Sequence, residues 1–356
     1  MTSEKRPLSE VGRFRGATGG GVEQVSEQPF TAMPGAAGVL DVVDLAGQAL
    51  DLAAVAARAN AYASASKAHS TRRAYELDWR EFSRWCAVRR RCALPAVPAT
   101  VALYLADEAG RLKVATLRRR LATISAAHHA VGEESPTDSA QVRDVLGGIM
   151  RRHGVQQTRK TPLVLEALRA VLATCGDDLR GRRDRALLLL GFAGALRRSE
   201  LVAVRCEDLA AHPKGLVLTI RRSKTDQLAL GRQVGIPHGT TPATSPVAAI
   251  AAWRTLACVQ HGPLLRSVDR YGSVGGVQLS GRTVADVVKR VALAAGLEGD
   301  YSGHSLRAGL ATSAALAGAG DLAIMQQTGH TSAAMVKRYI RPVEIWEANA
   351  AALAGL

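Results

Sequence analysis

Five short features in the C-terminal half carry residue types that could do chemistry. In Ala195-Leu196-Arg197-Arg198-Ser199-Glu200-Leu201, Arg197 and Glu200 stand three apart and share a face if a helix starts there. Taken alone they read as a surface ion pair. Lys224 follows an apolar strand-like run, at a turn where a lysine commonly just solubilises a sheet edge. In Ser302-Gly303-His304-Ser305-Leu306-Arg307, His304 and Arg307 lie at i and i+3 near a helix start, a place suited to anions. Gly329-His330 pairs a turn residue with an imidazole, and Tyr339 lies nine positions later among basic neighbours, where packing alone could explain it. In this order they combine cations, two imidazoles and a nucleophile, and together they make a site for phosphoryl transfer.

The series Arg, Lys, His-x-x-Arg, Gly-His, Tyr, with the stretch YSGHSLRAGLATSAALAGAG…TGHTSAAMVKRYIR, resembles the tyrosine recombinase family of the phage-integrase, Xer and Cre type, the Cre-like branch especially. The resemblance spans about residues 70 to 354. It implies catalytic roles for Arg197, Lys224, His304, Arg307, His330 and Tyr339, with Glu200 bracing the first arginine. Lys214, Arg221 or Arg222 could stand in for Lys224, because this loop varies. Arg198 replaces the family's usual aliphatic residue and could contact DNA, form an ion pair or compete with Arg197 for the catalytic role.

Physical chemistry supports these assignments. A phosphodiester repels nucleophiles, and two forked guanidinium groups can neutralise the charge that grows on its non-bridging oxygens. His330 would add a donor to a phosphate oxygen. His304 could do likewise or help take the phenol proton. Nearby cations favour the phenolate of Tyr339, and Lys224 is the candidate general acid for the leaving 5′ oxygen. The product is a 3′-phosphotyrosyl bond that another strand's 5′ hydroxyl can reverse without ATP. No metal or other cofactor is expected. A type IB topoisomerase, a telomere resolvase and an inactive DNA-binding regulator are the competing readings.

These residues must be held by a mainly α protein: an N-terminal helical bundle followed by a mostly helical catalytic domain with a small antiparallel sheet. Residues 1–37, rich in glycine and proline without periodicity, read as a disordered arm, and 38–65 as a leading helix. A helical DNA-binding domain is expected over 66–152, opening at Ser70 as N-cap and presenting Tyr75, Trp79, Phe82 and Cys86 on one face. The basic run RRHGVQQTRKTP gives a linker at 153–162, and the catalytic domain fills 163–356. The sheet is expected from residues 216–220 and a return strand from Gln233 to Ile236. Val343, Ile345, Trp346 and Leu353 recur at helical spacing and could dock on a neighbouring copy or pack within their own chain.

Composition fits this reading. Aromatics make up only 4% of residues, so the core must be built from aliphatic helices. A net charge of +15 suits a polyanionic partner. Double-stranded DNA is the expected one, with phosphate contacts from Arg72, Arg73, Arg118, Arg119, Arg120, Arg151, Arg152, Arg159 and Lys160. The resemblance implies a dimer on each site and a homo-tetramer during exchange; a clamp of the two domains on opposite duplex faces is expected, and whether accessory DNA-bending or directionality factors take part is left open. Five cysteines without zinc or redox spacing and no long apolar stretch point to a soluble, cytoplasmic protein with free thiols.

Overall fold

A computed structural model describes residues 52–65, 68–155, 159–223, 226, 230–337, 351 and 354. The chain divides into two compact units, Met1–Gln157 and Thr158–Leu356. The expected arm and most of the leading segment lie outside the described residues, and only its end appears, as α1 (Leu52–Ala65).

The first unit continues with α2 (His69–Val88), α3 (Pro98–Glu108), α4 (Val114–Ala130) and α5 (Ala140–His153). Phe82 and Cys86 are buried as their spacing predicts, and Trp85 joins them, so that Phe82 and Trp85 each meet Tyr104 edge-on at 5.0 and 5.3 Å. Ser70 is not the N-cap of α2. The helix begins two residues earlier, capped at Ala68, whose carbonyl accepts from the amides of Thr71 and Arg72, which leaves Ser70 inside it.

The second unit contains α6 (Leu165–Ala173), α7 (Leu179–Ala193), α8 (Arg198–Ala203), β1 (Leu209–His212), β2 (Gly215–Ile220), β3 (Arg232–Pro237), α9 (Pro246–Leu256), β4 (Arg266–Val268), β5 (Val274–Gln278), α10 (Gly281–Ala294), α11 (Gly303–Leu316) and α12 (Asp321–Thr328). β1, β2 and β3 form an antiparallel meander in which Ile220 faces Arg232 and Gly215 faces Pro237. A second hairpin, β4–β5, was not legible in the sequence. Its strands are short, contain Gly275 and Gly276 and carry a register shift, so the alternation that marks a strand is missing. α7 runs through the core with Leu187, Leu188, Leu189 and Leu190 all buried, which is why it shows no polar face. Trp253 of α9 packs in the same core and donates its indole N–H to the Leu264 carbonyl at 2.8 Å.

The end of the polar run expected to be a linker is laced to this unit. Thr161 N donates to the Asp300 carbonyl at 3.0 Å, Lys160 pairs with Asp300, Leu163 N donates to the Ser305 carbonyl at 2.9 Å and Leu165 N to Ser313 Oγ at 3.0 Å. α11 can lie this close because Gly309 has no side chain: a Cβ there would stand 1.9 Å from the Leu163 carbonyl oxygen. Gly309→Ala is therefore expected to cost about 1–3 kcal/mol or more, read as a lowered thermal midpoint. An unchanged midpoint would contradict this packing.

Candidate active site

Three chain reversals in the second unit converge on one cationic cluster. The first follows α7. Ala195 takes a left-handed backbone with φ 46° although it has a Cβ, a conformation that costs on the order of 1–3 kcal/mol and persists only where its surroundings enforce it. Here the enforcing group is Arg307, whose Nη1 donates to the Ala195 carbonyl at 2.8 Å. Two residues on, Arg197 caps α8. Its Nη1 bonds Glu200 Oε1 at 2.6 Å and its backbone N–H bonds Oε2 at 3.0 Å, so the spacing of three does place Glu200 as its brace. Glu200 is buried, and Arg197 keeps a partly exposed fork.

The second reversal opens α11, capped by Ser302 through the His304 amide and by the reciprocal bond of Ser302 N to Ser305 Oγ at 2.9 Å. His304 sits in the first turn with a solvent-facing edge. Loss of hydration, followed by the charges of Arg307, Arg197 and Arg198, lowers its pKa below the ordinary imidazole value. Arg307, one turn later, is only 1% exposed, so its charge acts in a low-dielectric setting.

The third reversal ends α12, where Gly329 is left-handed at φ 65° and turns the chain into His330. Burial, then the charges of Arg307, Arg197, His304 and Arg232, push the His330 pKa from 6.5 to about 4. Thr328 Oγ1 lies 2.6 Å from the Ile324 carbonyl and 2.9 Å from His330 Nδ1. If the hydroxyl donates its single proton to that carbonyl, the arrangement that satisfies both contacts is a neutral ring with Nδ1–H donating to Oγ1 and Nε2 as the acceptor nitrogen. His330 therefore accepts a proton in its resting state, and becomes the phosphate donor expected from sequence only once protonated. Between pH about 6.5 and about 4 the unfolded chain binds a proton here that the folded chain does not. Stability is then full above that window and falls as pH drops through it. Thermal melts across this range should decline more steeply for the wild type than for His330→Gln, and parallel curves would refute the shift.

Arg197, His304, Arg307 and His330 are thus brought together, whereas Lys224 and Tyr339 lie outside the described residues. Among the alternatives to Lys224, Lys214 is in the β1–β2 turn, separated from the Arg232 end by the length of β2, roughly 20 Å. Arg221 bonds Asp208 at 2.6 Å. Sequence reasoning missed Arg232. It opens β3 one residue before the expected return strand, and nothing in its neighbours marks it as buried.

The DNA-contact candidates divide differently. Arg72, Arg73, Arg118, Arg151, Arg152 and Arg159 are exposed. Arg119 is exposed but forks onto Asp78 at 2.6 and 2.9 Å, and Lys160 is held by Asp300. Arg120 is 11% exposed and donates to the Tyr104 hydroxyl while pairing with Glu108 and Asp78. The buried acids of α2 and α3 need a cation, which gives Arg120 an internal role in place of a phosphate contact.

Residues 163–344 match the model of the phage integrase family. The chain is 41% identical over 291 residues to an integrase/recombinase xerD homolog of Selenomonas ruminantium, covering 80% of this chain and 85% of the relative. It is 26% identical to recombinase cre of Escherichia phage P1, over 74% of this chain and 82% of that one, so the Xer-type relative is the more similar of these two. The fold also resembles a lambda integrase dimer bound to a COC' core site, with TM-score 0.54 and 17% identity over 81% of this chain and 76% of the other.

Proposed function

The chain belongs to the phage integrase family and is a tyrosine-type site-specific recombinase, and from that premise we propose that it cuts and rejoins double-stranded DNA through a 3′-phosphotyrosyl bond to Tyr339. The observation that carries this reading is the convergence of Arg197, Arg307, His304 and His330, with Arg232 beside them, around Glu200 as brace. Such an excess of buried positive charge is costly in a resting protein and is offset by a phosphodiester.

In this mechanism Arg197 and Arg307 face the non-bridging oxygens and stabilise the charge that grows on them. The Tyr339 oxygen attacks phosphorus and the P–O5′ bond breaks. Lys224 gives its proton to the leaving 5′ oxygen. His304 and His330 are the candidates to take up the phenol proton. The neutral His330 Nε2 is suited to this, and as an imidazolium it then donates to the phosphate, whose negative charge raises its pKa. Because the phosphotyrosyl bond keeps the energy of the original ester, an incoming 5′ hydroxyl reverses the sequence and joins a new strand.

One chain carries one Tyr339, so cutting both strands of a site takes two copies and exchange between two sites takes four. A dimer on each site and a homo-tetramer during exchange follow. The helical unit and its exposed arginines, Arg72, Arg73, Arg118, Arg151 and Arg152, supply phosphate contacts on the duplex.

The test is a nicked suicide substrate containing a site first mapped by the DNA the protein protects, beginning in and near its own gene. A denaturation-resistant adduct linked through the 3′ phosphate, with a free 5′ hydroxyl on the released strand, is expected. A 5′-linked adduct, or none on a DNA that the protein demonstrably binds, would sink the mechanism.

A further inference from the structure

Arg232 belongs to none of the five sequence features, yet its side chain lies between the Glu200 carboxylate and the last turn of α12. Its Nη2 lies 3.8 Å from Glu200 Oε2, on the carboxylate that holds Arg197. Its Nη1 donates to the Gln327 carbonyl at 3.2 Å, in the last turn of α12 just before Gly329-His330. The side chain packs against Gly329, where a Cβ would come within 2.9 Å of Nε. Nε and Nη2 are enclosed and make no hydrogen bond among the described residues.

An arginine is an expensive residue for such a position. Burial lowers its pKa, Arg197 lowers it further, and Glu200 only partly compensates. If packing were the sole requirement, an aliphatic side chain of similar volume would serve as well or better. Gln327 makes a parallel link: its Nε2 donates to the Ala193 carbonyl at 2.6 Å and to the Gly235 carbonyl at 3.1 Å. The last turn of α12, from which the His330 reversal departs, is thus strapped both to β3 and to the end of α7, from which the Arg197 reversal departs.

We propose that Arg232 is a positioning residue for strand cleavage: its guanidinium ties Glu200, and through it Arg197, to the Gln327–Gly329 turn, so that Arg197 and His330 address the same phosphodiester. The proposal rests on the phosphotyrosyl reading above. A misplacement of about 1 Å in a reacting site costs about a hundredfold in rate, which is the expected scale of the effect.

The experiment compares the full-length wild type with Arg232→Met and Arg232→Lys in three measurements: affinity for site DNA at fixed salt, the single-turnover rate of adduct formation on the nicked substrate, and the titration of the His330 ring by NMR in the free protein. Arg232→Met is expected to bind DNA as the wild type does and to form adduct about a hundredfold more slowly. Its His330 should titrate at higher pH, since one positive charge facing that ring is gone while Arg307, Arg197 and His304 remain. Arg232→Lys should recover part of the rate, because it keeps the charge without the fork.

A wild-type rate in Arg232→Met, or a slow rate with an unmoved His330 titration, overturns the proposal. If Arg232→Met does not fold, Arg232→Lys decides: it keeps the charge but not the fork that spans Glu200 and the Gln327 carbonyl, and an undiminished adduct rate there overturns the proposal equally. Absence of adduct from the wild type on bound DNA would remove the underlying chemistry and this inference together. A normal wild-type adduct with an indifferent Arg232→Met removes the inference alone.

Discussion

Tyr339→Phe is expected to bind site DNA with unchanged affinity and to form no covalent adduct on the nicked substrate. The substitution removes one oxygen and leaves the ring, so packing around position 339 is preserved and only the nucleophile is lost. Deleting the nucleophile of a covalent enzyme lowers the chemical step on the order of a millionfold, which puts the variant below detection in a gel assay. Binding should survive because it is carried by cations spread over the chain, whose net charge is +15. An adduct persisting in Tyr339→Phe would show that another group attacks the phosphate. Weak binding without adduct would instead mean that the tyrosine acts in recognition.

Arg307→Ala should have the next largest effect. If its guanidinium stabilises the phosphate oxygens as other preorganised donors do, its loss removes about 2.7–4 kcal/mol of transition-state stabilisation, a fall of about a hundredfold to a thousandfold in adduct formation. Arg197→Ala should fall in the same range, and both variants should still bind DNA. The two are distinguishable by stability. Arg307 is buried and holds the carbonyl of the strained Ala195, so its removal leaves a cavity and an unpaired carbonyl. Arg197→Ala should lose less stability: the Ala195 turn keeps its Arg307 bond, and Glu200, though it loses its 2.6 Å partner, retains Arg232 at 3.8 Å and the backbone N–H of residue 197. Measuring single-turnover rate and thermal midpoint for both variants tests this contrast. If Arg307→Ala cleaves within a few-fold of wild type while folded, it is not a phosphate ligand.

The residue types proposed for catalysis, and their order, are legible without coordinates because phosphoryl transfer constrains side-chain identity, and identity is what a sequence records. Helix capping was legible where the signal is local. Glu200 three residues after Arg197, and His304 with Arg307 at a helix start, follow from the 3.6-residue period and the unpaired amides of a first turn. Ser70 failed as a cap because nearby backbone groups closed the helix first. The β4–β5 hairpin escaped because short glycine-containing strands lack alternation.

What the sequence determined by itself is the set of side chains available to this protein and their order: two arginines, two histidines, a lysine and a tyrosine, whose joint occurrence is the ground for proposing Tyr339 as the nucleophile. Tertiary structure decided which charges act on which. Arg232 reaches Glu200 across 32 residues and the Gln327 carbonyl across 95. Arg307 enforces the Ala195 turn across 112, and Thr328 sets the proton position on His330. Arg120, one of three consecutive arginines, is turned inward by two buried acids. Burial and long-range pairing depend on how helices pack, and a periodicity of three or four residues carries no information about neighbours a hundred residues away.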